Sequence, residues 1–338
     1  MHKINWQIFV RLSMFFGFLS FIIGSLSGIA RGGELELGFI NKLSFFHQYF
    51  MIGGFFGTLI TAERIVSLRN EKLNFLILVN ALGSPFIILN PKISLIFFYS
   101  GGLILFAVYL YFLLRFKKEE FLILGLSAIF YILGFELYEK NKLLAIDFWS
   151  LFFIFTILGE RYELIKNFKK ISKISKYLIF SSILLLPFIQ KFYPLKGIIL
   201  VGLSIVFIIT DIALINLRKT EPFRFTAYCI LTGYIWLITY GLSFTIPNIN
   251  YDLRIHSLLL GFVFSMVFAH ARMILPSILK TTTKFLKIHN YIAFILFEAS
   301  LIARFISYGK AAFTIFLFAN FLSILLFFLI NFLSLKRK

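Results

Sequence analysis

His256–Pro276 reads HSLLLGFVFSMVFAHARMILP. No charge interrupts it before Arg272, and its polar residues up to that point are two serines and two imidazoles. About 20 such residues, rising 1.5 Å each, cover the roughly 30 Å hydrocarbon core of a bilayer while a helix satisfies their backbone groups internally. The same pattern recurs along the chain. Segments 7–29, 44–68, 73–90, 93–115, 119–138, 142–160, 176–191, 195–216, 224–245, 252–279, 288–307 and 311–334 each read as one crossing. The first has too long an apolar run for a signal-peptide core, so it reads as an anchor.

Composition agrees with that reading. Hydrophobic residues make up 60% of the 338 positions and charged residues only 14%, far from the balance of a soluble globular protein. The expectation is an all-α polytopic membrane bundle of about twelve transmembrane helices, a single integral domain over residues 1–338 embedded in a lipid bilayer. The connection Arg161–Ser175, the longest, is short and rich in lysine. A net charge of +19 raises the question of nucleic acid. The basic residues, however, sit in short connections and never form a solvated arm, so topology explains them better. With the N-terminus cytoplasmic, the termini and the connections after even-numbered segments hold 24 of the 34 Lys and Arg residues. That bias predicts a cell inner membrane with both termini inside. The single cysteine, Cys229, lies within an apolar run, which leaves no disulfide or thiolate cluster to consider.

Histidines carry the functional argument, because a polar imidazole in lipid is costly unless it is paired or liganded. His47 and His256 each lie about nine residues before the middle of their segments, roughly 14 Å from the midplane on the outer side. They share a level. His270, in the inner half of the tenth segment, and His289, at the start of the eleventh, belong to the inner side as a second candidate ligand pair, for which interfacial hydrogen bonding to lipid or carbonyls is the plainer account. His2, near the N-terminus, carries no argument. Two imidazoles from facing helices at one depth suit a low-spin haem, which takes one axial nitrogen from each side. Gly54, seven residues after His47, lies nearly beneath it and leaves room for a macrocycle, with Gly53 and Gly57 thinning the helix further. Small residues also serve plain helix packing, and Gly24–Gly28 and Gly53–Gly57 both fit that use. Arg254 and Arg31, on the outer side, are placed to neutralise haem propionates.

Charges at segment ends show an echo. Glu63–Arg64 closes the second segment, Glu160–Arg161 the sixth, and His270–Ala271–Arg272 approaches the inner end of the tenth. Three groups of four helices would place these ends around a pseudo-threefold axis; local charge neutralisation is the plainer account. Glu298, near the middle of the eleventh segment, and Asp211, in the inner half of the eighth, must be protonated, paired or wet.

The stretches His47–Leu68 (HQYFMIGGFFGTLITAERIVSL), Gly159–Leu164 (GERYEL), Arg224–Gly241 (RFTAYCILTGYIWLITYG) and His256–Pro276 resemble a group of twelve-span prokaryotic membrane proteins. Through them the chain is similar to NnrS-type nitric-oxide-response proteins and, distantly, to the catalytic subunit of haem-copper oxidases. That resemblance implies haem b ligands at His47 and His256, with His270 as a further one. It implies no copper site, because the sixth and seventh segments contain no histidine, and Ala269 stands where NnrS-type proteins place a glycine before the second histidine of the tenth segment. The expected role is electron transfer to or from a redox partner, or handling of a diatomic gas such as nitric oxide. Two alternatives stay open: a proton-coupled transporter using Glu298 and Asp211, and a cofactor-free structural or assembly protein.

Overall fold

The computed structural model describes residues 5–337, so His2 lies outside the described residues. Twelve helices follow one another: α1 (Gln7–Gly32), α2 (Tyr49–Ser67), α3 (Glu71–Leu89), α4 (Pro91–Phe116), α5 (Glu120–Tyr138), α6 (Lys142–Phe168), α7 (Lys173–Leu185), α8 (Tyr193–Thr210), α9 (Phe223–Leu242), α10 (Tyr251–Leu279), α11 (Lys287–Ile306) and α12 (Phe313–Leu333). All but α7 are long and apolar enough to cross a membrane. Polar side chains set several starts: Asn90, Asn141, Ser172 and Asn250 each accept a backbone N–H from the first turn that follows. Lys117 and Lys280, both in the left-handed conformation, end α4 and α10.

Pro187 explains why α7 is short. It lies in a 3-10 turn, Leu186–Phe188, that ends the regular helix because proline lacks the N–H that α-helical bonding needs. The segment still traverses most of the bundle. At one end Lys176 pairs with Glu119 (2.5 Å), which also accepts from the Tyr162 hydroxyl (2.5 Å). Past the other end Gln190 accepts from Lys196 (2.7 Å), whose ammonium also reaches Asp147 (2.6 Å). Tyr162 and Asp147 are fifteen residues apart on α6, about 22 Å of rise. Twelve traversals follow.

The ends of the chain share one face. Gln7 donates to the Ile278 carbonyl (2.8 Å), which brings the start of α1 to the end of α10. Strand β1 (Thr281–Thr283) pairs antiparallel with β2 (Leu335–Arg337), joining the ends of α10 and α12. This is the terminal face, and its opposite is the distal face. Between them, outward-facing Phe15, Leu103, Ile198, Ile302 and Leu329 are exposed, as lipid contact requires. The interior is aromatic: Phe21, Phe55, Phe264 and Phe328 pack around one another near the bundle axis.

α2 and α10 share an irregularity. Each has a π-helical stretch, Tyr49–Gly57 and Ser257–Phe264, beginning just after His47 and His256 respectively. Such wide turns are rare, and they concentrate at functional sites. Asn80 of α3 stabilises the first by donating to the Gly53 carbonyl (2.9 Å), while its own side-chain oxygen accepts from Tyr131 (2.9 Å).

Candidate functional site

His47 and His256 line one cavity of about 140 Å³ at the distal end, between α1, α2, α6, α10, α11 and α12. The His47 Nδ1 is 2.6 Å from the Gly24 carbonyl oxygen, so it donates there. That contact exists because α1 is bare at this point. A Cβ on Gly28 would lie 2.7 Å from the His47 ring, and a Cβ on Gly24 would lie 2.9 Å from the Met51 sulfur. The Gly24–Gly28 pair therefore seats His47 and Met51.

His256 is held by Asp252. Its Nδ1 lies 2.9 Å from Asp252 Oδ1 and 3.0 Å from the Asp252 carbonyl, one helical turn back. Arg304 of α11 clamps the same carboxylate through two bonds, of 2.6 and 3.0 Å. His47 Nδ1 donates to the Gly24 carbonyl, while His256 Nδ1 faces two nearer Asp252 oxygens as well as Arg304 Nη2 at 3.2 Å; with the Nδ1 proton taken by the oxygens, Nε2 is left as the nitrogen with a free lone pair in both. Metal-ligating imidazoles are oriented in this way. Arg31 and Arg304 also line the cavity.

Three expectations need correction. Arg254 is not at the cavity: it packs over the Phe244 ring (5.0 Å) and donates to the Ser243 carbonyl. Arg304 stands in its place. The glycines of α2 do not open space, since Cβ atoms on Gly53, Gly54 and Gly57 would meet Phe98, Ser20 with Ser84, and Tyr131 at 2.7 Å or less. They admit neighbouring helices. Finally, His270 and His289 do not converge. His289 is exposed at the start of α11, with no hydrogen-bond partner among the described residues. His270 donates from Nδ1 to the Met266 carbonyl (2.8 Å), and its Nε2 accepts from Arg161 (3.2 Å).

That arginine belongs to a buried network at the terminal end. Arg161 binds both oxygens of Asp211 (2.5 and 2.9 Å), which also accepts from the Tyr234 hydroxyl and the Ala213 N–H, each at 2.7 Å. Asp211 is 0% exposed and Arg161 3%, so four donors satisfy a carboxylate that water does not reach. Arg64 of α2 pairs with Glu160 of α6. The Arg64–Glu160 pair thus links α2 to α6, and the Arg161–His270 contact links α6 to α10. Glu298 accepts from Trp236 Nε1 (2.7 Å) and Ser265 Oγ (2.9 Å), and shares no partner with Asp211.

Sequence reasoning missed Asp252 and Arg304. Asp252 is four residues before His256, on the same helix face, a spacing that was readable. Arg304 was not: only the packing of α11 against α10 brings it close. Among the described residues no three His, Cys, Asp or Glu side chains gather as a metal-ion site.

No curated protein and no solved structure matches the chain. Residues 11–335 match a family described as a domain of unknown function, DUF8744. Because that match reaches into all twelve traversing helices, the chain belongs to the DUF8744 family.

Proposed function

We propose that the distal cavity is a haem b site in a prokaryotic inner-membrane protein with cytoplasmic termini, serving electron transfer or the handling of a diatomic gas such as nitric oxide. One observation carries the reading: two histidines from different helices line a single cavity, each with Nδ1 held by an oxygen and Nε2 unpartnered. The similarity of the His47 and His256 stretches to NnrS-type proteins supports it.

The donor set fits the group. His47 and His256 would hold the group through Nε2, and Arg31 and Arg304 would balance its carboxylates. Asp252, held by Arg304, keeps His256 oriented. When bound, haem would supply one-electron chemistry at a potential set by its two imidazoles and its surroundings. The cavity's volume of about 140 Å³ equals that of roughly five waters, at about 30 Å³ each. Seating a macrocycle therefore requires Met51, Leu259 and Leu260, unbranched or singly branched chains lining the slot, to turn aside.

The transporter alternative would need free proton stations. Asp211 is fully engaged by four donors and Glu298 by two, so neither offers one in this arrangement. The test is the absorption spectrum of detergent-purified protein from cells well supplied with haem. A low-spin six-coordinate spectrum is expected. Protein that is folded yet colourless would rule the proposal out.

A further inference from the structure

Three spaces lie in series along the bundle axis. The distal cavity holds His47, His256, Arg31 and Arg304. A middle cavity of about 80 Å³ follows, and then a vestibule of about 800 Å³ at the terminal face. The middle cavity and the vestibule share Glu63, Glu160 and His270, so one set of polar side chains forms the boundary between them. On the other side, the middle and distal cavities share Phe56 of α2 and Phe153 of α6.

Phe264 of α10 completes that second boundary. Its ring centroid is 5.3 Å from that of Phe56, which is 4.9 Å from that of Phe153. A single layer of phenyl rings, one from each of α2, α6 and α10, thus divides the titratable groups of the two faces. Phe56 and Phe264 both sit within the π-helical stretches. Returning a wide turn to α-helical pitch rotates the side chains beyond it, which gives the layer a way to part. A hydrophobic constriction of this kind gates by dewetting.

The chemistry on the terminal side is that of proton loading. Glu63 has no ion pair or hydrogen bond among the described residues, although it lines both the vestibule and the middle cavity. The charged groups facing it are Glu160, paired with Arg64, together with Glu163, Arg69 and the Lys280–Glu71 pair, and His270 is the neighbouring imidazole. We propose that this axis is a gated proton path, in which protons from the vestibule load Glu63 and cross to the distal cavity along water admitted when the Phe56–Phe153–Phe264 layer parts. Each transfer moves a proton from a carboxyl oxygen to water and onward, with no electron exchanged. The path does not depend on haem at its distal end.

Proteoliposomes enclosing a pH-sensitive dye, driven by a potassium diffusion potential, test this. Wild-type protein should conduct slowly. Phe56→Ser wets the layer and should raise proton flux at least tenfold, and Glu63→Gln in that background should return flux to near the wild-type value. Phe327→Ser, at a ring stacked on Phe268 (4.0 Å) and lining none of the three spaces, should leave flux unchanged. Phe153→Ser is the second gate variant, should Phe56→Ser not elute as a single folded species. No rise in either gate variant overturns the proposal, as does a rise that Glu63→Gln leaves intact, which marks a nonspecific leak. Absorbance of the same vesicles reads haem separately, so the two proposals fail independently.

Discussion

At the distal end of the bundle, His47 and His256 line a shared cavity and Nε2 of each has no hydrogen-bond partner among the described residues; at the terminal end, His270 has its Nε2 covered by Arg161. All three imidazoles are anchored through Nδ1 to an oxygen. The difference is one contact on the second nitrogen. It separates a group able to take a ligand from one serving a buried ion network, and neither residue type nor depth in the membrane reveals it.

Losing either distal histidine should break the comparison most sharply. His47→Ala or His256→Ala should remove most of the bound haem, measured as pyridine haemochrome per protein, whereas His270→Ala should retain it. Equal loss from all three would contradict the distinction. Next in size, Arg161→Ala leaves Asp211 buried without its counter-charge, at a cost of roughly 3–5 kcal/mol. Thermal unfolding in detergent should show that drop, with partial recovery on adding Asp211→Asn. An unchanged midpoint would mean that water reaches Asp211.

Much of this arrangement was legible in the amino-acid sequence, because apolar run length maps directly onto crossings. All twelve segments correspond to helices; α7 is shortened at Pro187, and the eighth segment, expected to reach residue 216, breaks after Thr210. The level shared by His47 and His256 was legible for the same reason, since helical rise converts residue number to depth. What sequence could not supply was lateral neighbourhood. Gly54 looked like the residue that makes room beside His47, yet Gly28 of α1 does so, because nothing in α2 specifies which helix lies against it. Arg254 stood out on the outer side, and only the placement of α11 brings Arg304 to the cavity in its stead. The π-helical stretches left no sequence signal, as the same apolar residues suit either helical pitch.

Smaller effects sharpen the contrast. Gly28→Ala puts a methyl group against the His47 ring and should lower haem occupancy severalfold, while Gly202→Ala, with open space around its Cβ position, should not. A haem-replete Gly28→Ala protein would show that His47 can be seated another way. Trp236→Phe removes one of the two donors to Glu298 and should cost about 1–3 kcal/mol in the same thermal assay. His289→Ala, at an exposed position, should change stability by less than about 0.5 kcal/mol and leave haem content unaltered. A haem deficit there would bring the terminal face back into the site.

The most direct test is a paired optical spectrum of wild-type and His256→Ala protein, purified from haem-supplied cells and recorded oxidised and reduced. Wild type should show a Soret band and sharp reduced α and β bands of a six-coordinate low-spin haem, and the variant should lose them or turn high-spin. A colourless wild type, or a variant with the wild-type spectrum, would contradict ligation by His47 and His256.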